Sequence, residues 1–404
     1  MKSKNTQPLK GFRDFLPEEA KKRQWLKSEM IKVFEKWGYE PLETPTLEPL
    51  NIFKGQIGED EKLFFQFKDL GGRDVVMRYD QSVPSCRVIG QYFDKITFPF
   101  RRYQIQSNFR AENPQKGRYR EFTQADIDIF GIKSPLADAE CIAVSIDLYK
   151  SLGFKNPIAI INSRDLLKDI PYPALVAIDK LSKIGEDGVY EDMAKKGIVK
   201  EKAKEYFLKV KNLKPNESLK IIFNYLKKSG FSETEYKFEP RLARSFSYSQ
   251  GPIWEMKIPG YEAGSVGGGE RYDKMLADIS GKDIGATGIA FGFDRTLEAC
   301  EQFGLSPQSI PITQVLVTVF SSELLDKSLA ITLLLRSNGV NCETYPDPEE
   351  RLDKQIKYAD KKGIPYIVII GPDEVKNNVV TIKNLPTGDQ KMVDIQDLLT
   401  CIKS

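Results

Sequence analysis

Arg102, Gln104, Gln106, Asn108 and Arg110 occupy alternate positions of one segment, and Phe122, Gln124, Asp126 and Asp128 alternate positions of a second. If residues 98–110 and 119–130 are strands, period-2 alternation puts each set on one face. An ordinary half-buried hairpin also has a polar face. A solvated face, however, favours Lys, Glu and Thr, whereas Arg, Gln, Asn and Asp together resemble the floor of a polar ligand site. Around the loop, Arg101, Arg102, Arg110, Lys116, Arg118 and Arg120 stand against the single acid Glu112, interleaved with Tyr103, Phe109 and Tyr119. As a bare charge run this would be solvated surface; with the aromatics it suits phosphate or nucleic acid. GSVGGGERYD, residues 264–273, permits close backbone approach to a ligand, or forms a flexible loop.

The chain contains no histidine, and its 60 basic and 57 acidic residues leave a charge of +3. Ser-His-Asp and Cys-His nucleophile systems are therefore excluded, as are zinc sites with histidine ligands. Chemistry must use carboxylates, arginine, lysine, tyrosine or backbone groups. Cys86, Cys141, Cys300, Cys342 and Cys401 are scattered without a CxxC, which reads as reduced thiols in a cytoplasm. No run of about 18 apolar residues offers a membrane span, and no apolar leader is visible at the N-terminus.

A length of 404 residues suggests about two or three domains. Pro17, Glu18 and Glu19 suit the first turn of a helix over 18–37, whose Leu26, Met30, Val33, Phe34 and Trp37 recur at helical spacing before Gly38. Pro41, Pro45 and Pro49 follow in an extended stretch that suits an edge strand or a subunit contact. Residues 164–236 read as a helical insertion. Within it, 195–228 carries eleven lysines against Glu201, Glu205 and Glu217, a balance of +8. That is soluble surface or a nucleic-acid backbone contact. From about 311, strands alternate with helices, implying βαβ units and a mainly parallel sheet. No GxGxxG or P-loop opens those helices.

Taken in order, these segments resemble the histidyl-tRNA synthetase family, class II aminoacyl-tRNA synthetases, over almost the whole chain. KGFRDFLPEE matches the family's opening, WGYEPLETPTLE its motif 1, and MRYDQSVPSCR the segment that contacts the substrate amino group. FRAENPQKGRYREFTQADIDIFG resembles motif 2 and the following strand, and ATGIAFGFDR motif 3. SFSYSQGPIWE and SVGGGERYD match two signature segments specific to the histidine enzymes.

The resemblance implies an α+β catalytic domain with an antiparallel sheet, residues 1–163 and 237–309. The helical insertion 164–236 interrupts it, and an α/β anticodon-binding domain follows at 310–404. It also implies ATP with Mg²⁺, L-histidine, tRNA, a homodimer through motif 1, and no protein-only metal site. Arg110, Arg244 and Arg295 become the catalytic arginines on the ATP phosphates. Glu112 and Arg118 lie around adenine and the terminal phosphates. Asp80 and Ser82 hold the α-ammonium, Gln124 sits beside the substrate backbone, and Asp128 accepts the imidazole N–H. Tyr248, Ser249 and Tyr272 complete the pocket. Ser249 stands where the family has a second tyrosine, Ser247 where it has an acid, and Gln81 where it has leucine; Ser249 leaves space for water. A regulatory paralogue would lack the C-terminal domain and the motif arginines, and an RNA-sensing module would not need the arginines; this chain keeps both. Another class II specificity is the remaining alternative.

Overall fold

The computed structural model describes residues 6–115, 117–243, 249–308 and 311–403. The chain divides into two compact units, Met1–Pro307 and Gln308–Ser404.

The first unit opens with α1 (Pro17–Lys36). Proline at its first turn wastes no N–H, Glu18 and Glu19 complement the positive end of the helix, and Gly38 leaves it at φ 77°. Leu26, Met30, Val33 and Phe34 form its buried stripe. The proline-rich stretch then gives β1 (Glu40–Pro41) at the edge of the main sheet and β2 (Leu47–Pro49) at the edge of a small one. Edge positions tolerate a residue that cannot donate to the ladder. With β3 (Gln66–Lys68) and β4 (Asp74–Met77), β2 forms an antiparallel sheet of order β2-β4-β3, from which α2 (Ser82–Tyr92) leads to the hairpin.

The hairpin is β5 (Phe100–Phe109) and β6 (Glu121–Phe130); each strand begins two residues later than the alternation suggests, and β5 ends one earlier. α3 (Pro135–Ser151) follows, with Ser134 accepting the Leu136 N–H as its cap. After β7 (Ile158–Ser163) come the helices α4 (Arg164–Leu167), α5 (Tyr172–Asp179), α6 (Leu181–Lys195), α7 (Lys200–Lys211) and α8 (Glu217–Lys228). The chain returns through β8 (Tyr236–Phe238), β9 (Gln250–Lys257), β10 (Gly267–Arg271), α9 (Asp273–Ser280), β11 (Ala286–Gly292) and α10 (Phe293–Gln302). The main sheet has the order β1-β5-β6-β11-β10-β9-β7-β8. Its six central strands are antiparallel, and only the short edge strands β1 and β8 pair parallel.

One face of this sheet is apolar. Tyr103, Ile105, Ala125, Ile127, Ile129, Trp254, Ile289 and Phe291 pack with α1 and α3 into a single core. Each fully buried aliphatic side chain there contributes roughly 1.5–3 kcal/mol. The glycine run is strand, not flexible loop. A Cβ at Gly269 would collide with the indole of its register partner Trp254. The five helices between β7 and β8 divide. Ala174, Leu175, Ile178, Val189, Met193, Phe207 and Val210 make a separate small core. Leu219, Ile222 and Leu226 of α8 instead join the main core.

The second unit contains β12 (Val315–Val317), α11 (Leu325–Ser337), β13 (Cys342–Thr344), α12 (Leu352–Lys362), β14 (Tyr366–Ile369), α13 (Pro372–Asn377), β15 (Val379–Asn384), β16 (Gln390–Asp394) and α14 (Leu398–Lys403). Strands β13, β12 and β14 are parallel, as the alternating pattern suggests. The mainly parallel expectation fails beyond them, because β15 and β16 run antiparallel. Only residues 370–378 join β14 to β15, which is too short for a parallel crossover of about a dozen residues or more.

Candidate active site

The hairpin register sets the polar face of the sheet. Arg102 lies directly opposite Asp128, Gln104 opposite Asp126, and Gln106 opposite Gln124. β11 and β10 continue the rows, with Gly288 beside Asp128 and Glu270 beside Gly288. These side chains are nearly all buried, down to 0% exposure for Arg102 and 3% for Asp128. The β6, β11 and β10 positions of this face form the floor of a cavity of about 680 Å³.

Asp80, Ser82, Arg110, Glu112, Arg118, Gln124, Asp128, Tyr272 and Arg295 all line that one cavity. They come from the start of α2, the hairpin and its loop, β6, the end of β10 and the start of α10. Ser249 is not on its wall. Its hydroxyl donates to the Glu270 carboxylate, and Glu270 faces the cavity. Arg244 and Tyr248, with Ser247, lie outside the described residues. The segment just before them is anchored, since the Asn162 amide donates to the carbonyls of Pro240 and Leu242, each at 3.0 Å.

At the inner end, Arg102 Nη2 meets Asp128 Oδ2 at 2.5 Å, an ion pair without hydrogen-bond alignment. The Tyr272 hydroxyl donates to Asp128 Oδ1. Burial pushes the Asp128 carboxyl up, while Arg102 and Tyr272 pull against it. Burial also raises Asp80 to about 6, with Arg110 opposing and Glu270 reinforcing the shift. The Asp80 carboxylate accepts the Val83 N–H at 3.1 Å, which seats it over the start of α2. Gln81 shows why a polar residue stands where leucine was expected. Its side-chain amide donates to the backbone oxygens of Gln106 (3.1 Å) and Gln124 (2.9 Å), tying this turn to the hairpin. Arg78, only 1% exposed, performs the same kind of stitching nearby. It donates to the carbonyls of Thr44 (2.7 Å), Pro45 (3.1 Å) and Ser107 (2.7 Å).

At the outer end, the Arg110 guanidinium lies 4.3 Å from the Tyr79 ring centre and 5.0 Å from that of Phe122. Such stacking orients the fork while leaving its donors available. Arg295 is held by the Ser265 carbonyl at 3.0 Å. Asp294 accepts from Arg13 (3.1 Å) and Arg23 (2.6 Å) and orders the start of α10. Arg118 is 3.6 Å from Glu112, and its side chain is 58% exposed.

Asp126 has a consequence for stability. Burial raises its carboxyl to about 8, the effect of nearby Asp128 adding and that of Arg102 subtracting. Its unfolded value is the ordinary 3.8. Between about pH 4 and pH 8 the folded chain thus keeps a proton that the unfolded chain has lost, so this group makes stability fall as pH rises. The Asp126→Asn variant is expected to lose that dependence. Its unfolding midpoint should exceed the parent's by a few degrees near pH 8 and match it near pH 4, read by scanning calorimetry across that range.

Comparison with solved structures places this sheet and cavity in the class II aminoacyl-tRNA synthetase fold. A histidyl-tRNA synthetase from Nostoc sp. superposes with a TM-score of 0.85 at 27% identity, over 99% of both chains. A family model for histidyl-tRNA synthetase matches residues 11–171, and one for an anticodon binding domain matches residues 314–404. The histidine–tRNA ligase of Cytophaga hutchinsonii is 33% identical over 96% of this chain and 98% of its own length. That of Wolinella succinogenes is 35% identical, covering 95% of this chain and 94% of its own length. The chain belongs to the histidyl-tRNA synthetase family.

Proposed function

We propose that the cavity carries out both steps of the reaction with the residue roles set out below. The chain is a histidine–tRNA ligase that serves protein synthesis. In the first step a histidine carboxylate oxygen attacks the α-phosphorus of ATP, the α–β bond breaks and pyrophosphate leaves. In the second, a terminal hydroxyl of tRNA attacks the acyl carbon and AMP leaves. Mg²⁺ accompanies the phosphates and neutralises part of their charge. No general base with a neutral pKa is needed, which suits a chain without histidine.

Arg110 takes the α-phosphate and the substrate carboxylate, Arg295 the γ-phosphate, and Arg244 stands beside the α-phosphate. Glu112 and Arg118 flank adenine and the terminal phosphates. Asp80 and Ser82 hold the α-ammonium, Gln124 the substrate backbone, and Asp128, Tyr248 and Tyr272 the ring, with Ser249 acting on the pocket through Glu270. The observation that carries this reading is the convergence of nine expected residues on one cavity whose inner end is carboxylate-rich and whose outer end is arginine-rich. ATP–pyrophosphate exchange with a panel of amino acids tests it. Exchange with histidine alone is expected; exchange with another amino acid and none with histidine would overturn it.

The reading assigns residues 1–163 and 237–309 to the catalytic domain, 164–236 to the insertion and 310–404 to the anticodon-binding domain. It places the enzyme in the cytoplasm, where translation consumes its product; none of the described helices is long and apolar enough to cross a membrane. Motif 1, with β1 on the sheet edge, forms a homodimer contact. Light scattering is expected to give twice the chain mass, and a monomer at working concentration would count against this.

The insertion's lysines sharpen into a testable subset. Lys196, Lys202, Lys209, Lys220 and Lys227 are ion-paired with neighbouring acids. Lys195, Lys200, Lys204, Lys211, Lys214 and Lys228 are exposed without a carboxylate partner among the described residues. If the insertion clamps the tRNA acceptor arm, changing these six to Gln weakens tRNA binding and flattens its salt dependence by up to about one counterion per lost contact. Pyrophosphate exchange is unaffected. Unchanged tRNA binding would dispose of the clamp.

A further inference from the structure

We propose that Glu270, positioned by Ser249, is a specificity-determining residue that accepts the second ring N–H of histidine, so that the pocket binds the substrate as an imidazolium. This rests on the reading of the cavity's inner end as the amino-acid pocket.

Glu270 and Asp128 belong to one cross-sheet row, separated only by Gly288. Two strand spacings of about 4.8 Å bring their backbones within roughly 10 Å. Gly288 offers no side chain between them, and the Asp128 carboxylate leans across it, so that a Cβ there would strike it. Both carboxylates line the same cavity, and Glu270 is only 7% exposed. Its charge is felt at Asp80, which lines the same cavity. The Ser249 hydroxyl donates to Glu270 Oε2 and fixes the carboxylate from behind. A carboxylate accepts at about four lone-pair sites, so it can take a bond from behind and another from a ring in front.

Ionised carboxylates only accept hydrogen bonds. Asp128 accepts from the Tyr272 hydroxyl beside the Arg102 guanidinium and Glu270 accepts from Ser249, so a ring held between two such acceptors presents N–H at both nitrogens. The groups lining the cavity there are Asp128 and Asp126 on β6, Glu270 and Tyr272 at β10 and Asp80 before α2, with Arg102 on β5 set against Asp128. The ring nitrogens of an imidazolium are equivalent as donors, whereas a neutral ring has one donor and one acceptor. A pocket of this kind rejects isosteric rings lacking the second N–H, because a buried carboxylate would then go unmatched.

Because the chain has no histidine of its own, ring-¹⁵N-labelled L-histidine bound to the full-length protein gives the only imidazole resonances. About one unit above the free ring's pKa of roughly 6.5, both bound nitrogens are expected at protonated positions. Glu270→Gln should return one nitrogen to the unprotonated range. It should also raise the KM for histidine about tenfold or more, with the KM for ATP unchanged within about twofold. Ser249→Ala should move the same quantities less. A bare nitrogen in the bound parent overturns the inference without needing any variant to fold, and so does a Glu270→Gln protein with parental spectra and KM. If saturating histidine gives no bound ring signal, the pocket reading itself fails, and this inference with it.

Discussion

Arg110→Ala should lower the rate of histidine-dependent pyrophosphate exchange by about 10²–10³-fold, the cost of removing one preorganised charge donor from a developing oxyanion. The residue has the features that make such a donor effective. Its guanidinium is wedged against Tyr79 and Phe122, with Nε 3.4 Å from the Tyr79 carbonyl. The orientation is thus set before substrate arrives, and little reorganisation is needed as charge builds on the phosphoryl oxygens. Arg110→Lys should rescue little, because an ammonium neither stacks as a plane nor offers two parallel donors. Arg118→Ala provides the contrast. Its exposed side chain and loose 3.6 Å approach to Glu112 predict a smaller loss, about tenfold, in the KM for ATP. Equal losses at 110 and 118 in single-turnover kinetics would contradict the assignment. Thermal midpoints should be nearly unchanged in both, since neither side chain is part of a core.

Gly288→Ala should severely weaken histidine activation while leaving a folded protein of reduced stability. An added methyl group would meet both the Asp128 carboxylate and the Ile127 carbonyl. The carboxylate could move, but the carbonyl is fixed in the β6 ladder opposite β11. The strand must therefore shift, at roughly 1–3 kcal/mol as for other overpacked sites. Any movement also disturbs the Arg102–Asp128–Tyr272 constellation on which the ring depends. The KM for histidine should rise at least about a hundredfold, with a smaller effect on ATP. Ala290, which lies beside Asp126 on the same face and already bears a methyl group, makes a useful comparison, since Ala290→Gly should be far milder. Parental histidine kinetics in Gly288→Ala would show that the wall between the two carboxylates is not where the ring binds.

The hairpin illustrates what was legible. Alternation alone put Gln124 and Asp128 on a common polar face, and the two strands run from 100 to 109 and 121 to 130 with that face over the cavity. Alternation could not supply the partner across the ladder. That Arg102 meets Asp128 depends on register, which the loop 110–120 sets through the Arg110 N–H bond to the Arg120 carbonyl at 2.9 Å. Glu270 was present in the glycine-rich signature but drew no role. Its significance appears only when β10 is seen two strands from β6. Gln81 looked like a departure from pattern until its amide was found bridging two backbone oxygens. The glycines themselves divided. Gly269 makes room for Trp254 on the apolar face and Gly288 for Asp128 on the polar one, a distinction that needs tertiary structure. In the C-terminal unit the helix–strand rhythm identified the elements, yet the length of a single connection decided the direction of β15.

Arg78 links segments that are remote along the chain: the carbonyls at 44 and 45, the hairpin at 107, and, through its own backbone, the Thr46 oxygen and the Phe109 amide. A guanidinium stays charged, and moving it out of water is unfavourable until all its acceptors are in place. Each of these contacts is therefore worth little without the others. Protection of the backbone amides at 44 and 46, across 76–78 and across 107–109 from solvent exchange should be gained and lost together, as one opening unit. The wall of the active site would then behave as a single switch between closed and open, with no partially assembled state from which a misaligned arginine could act.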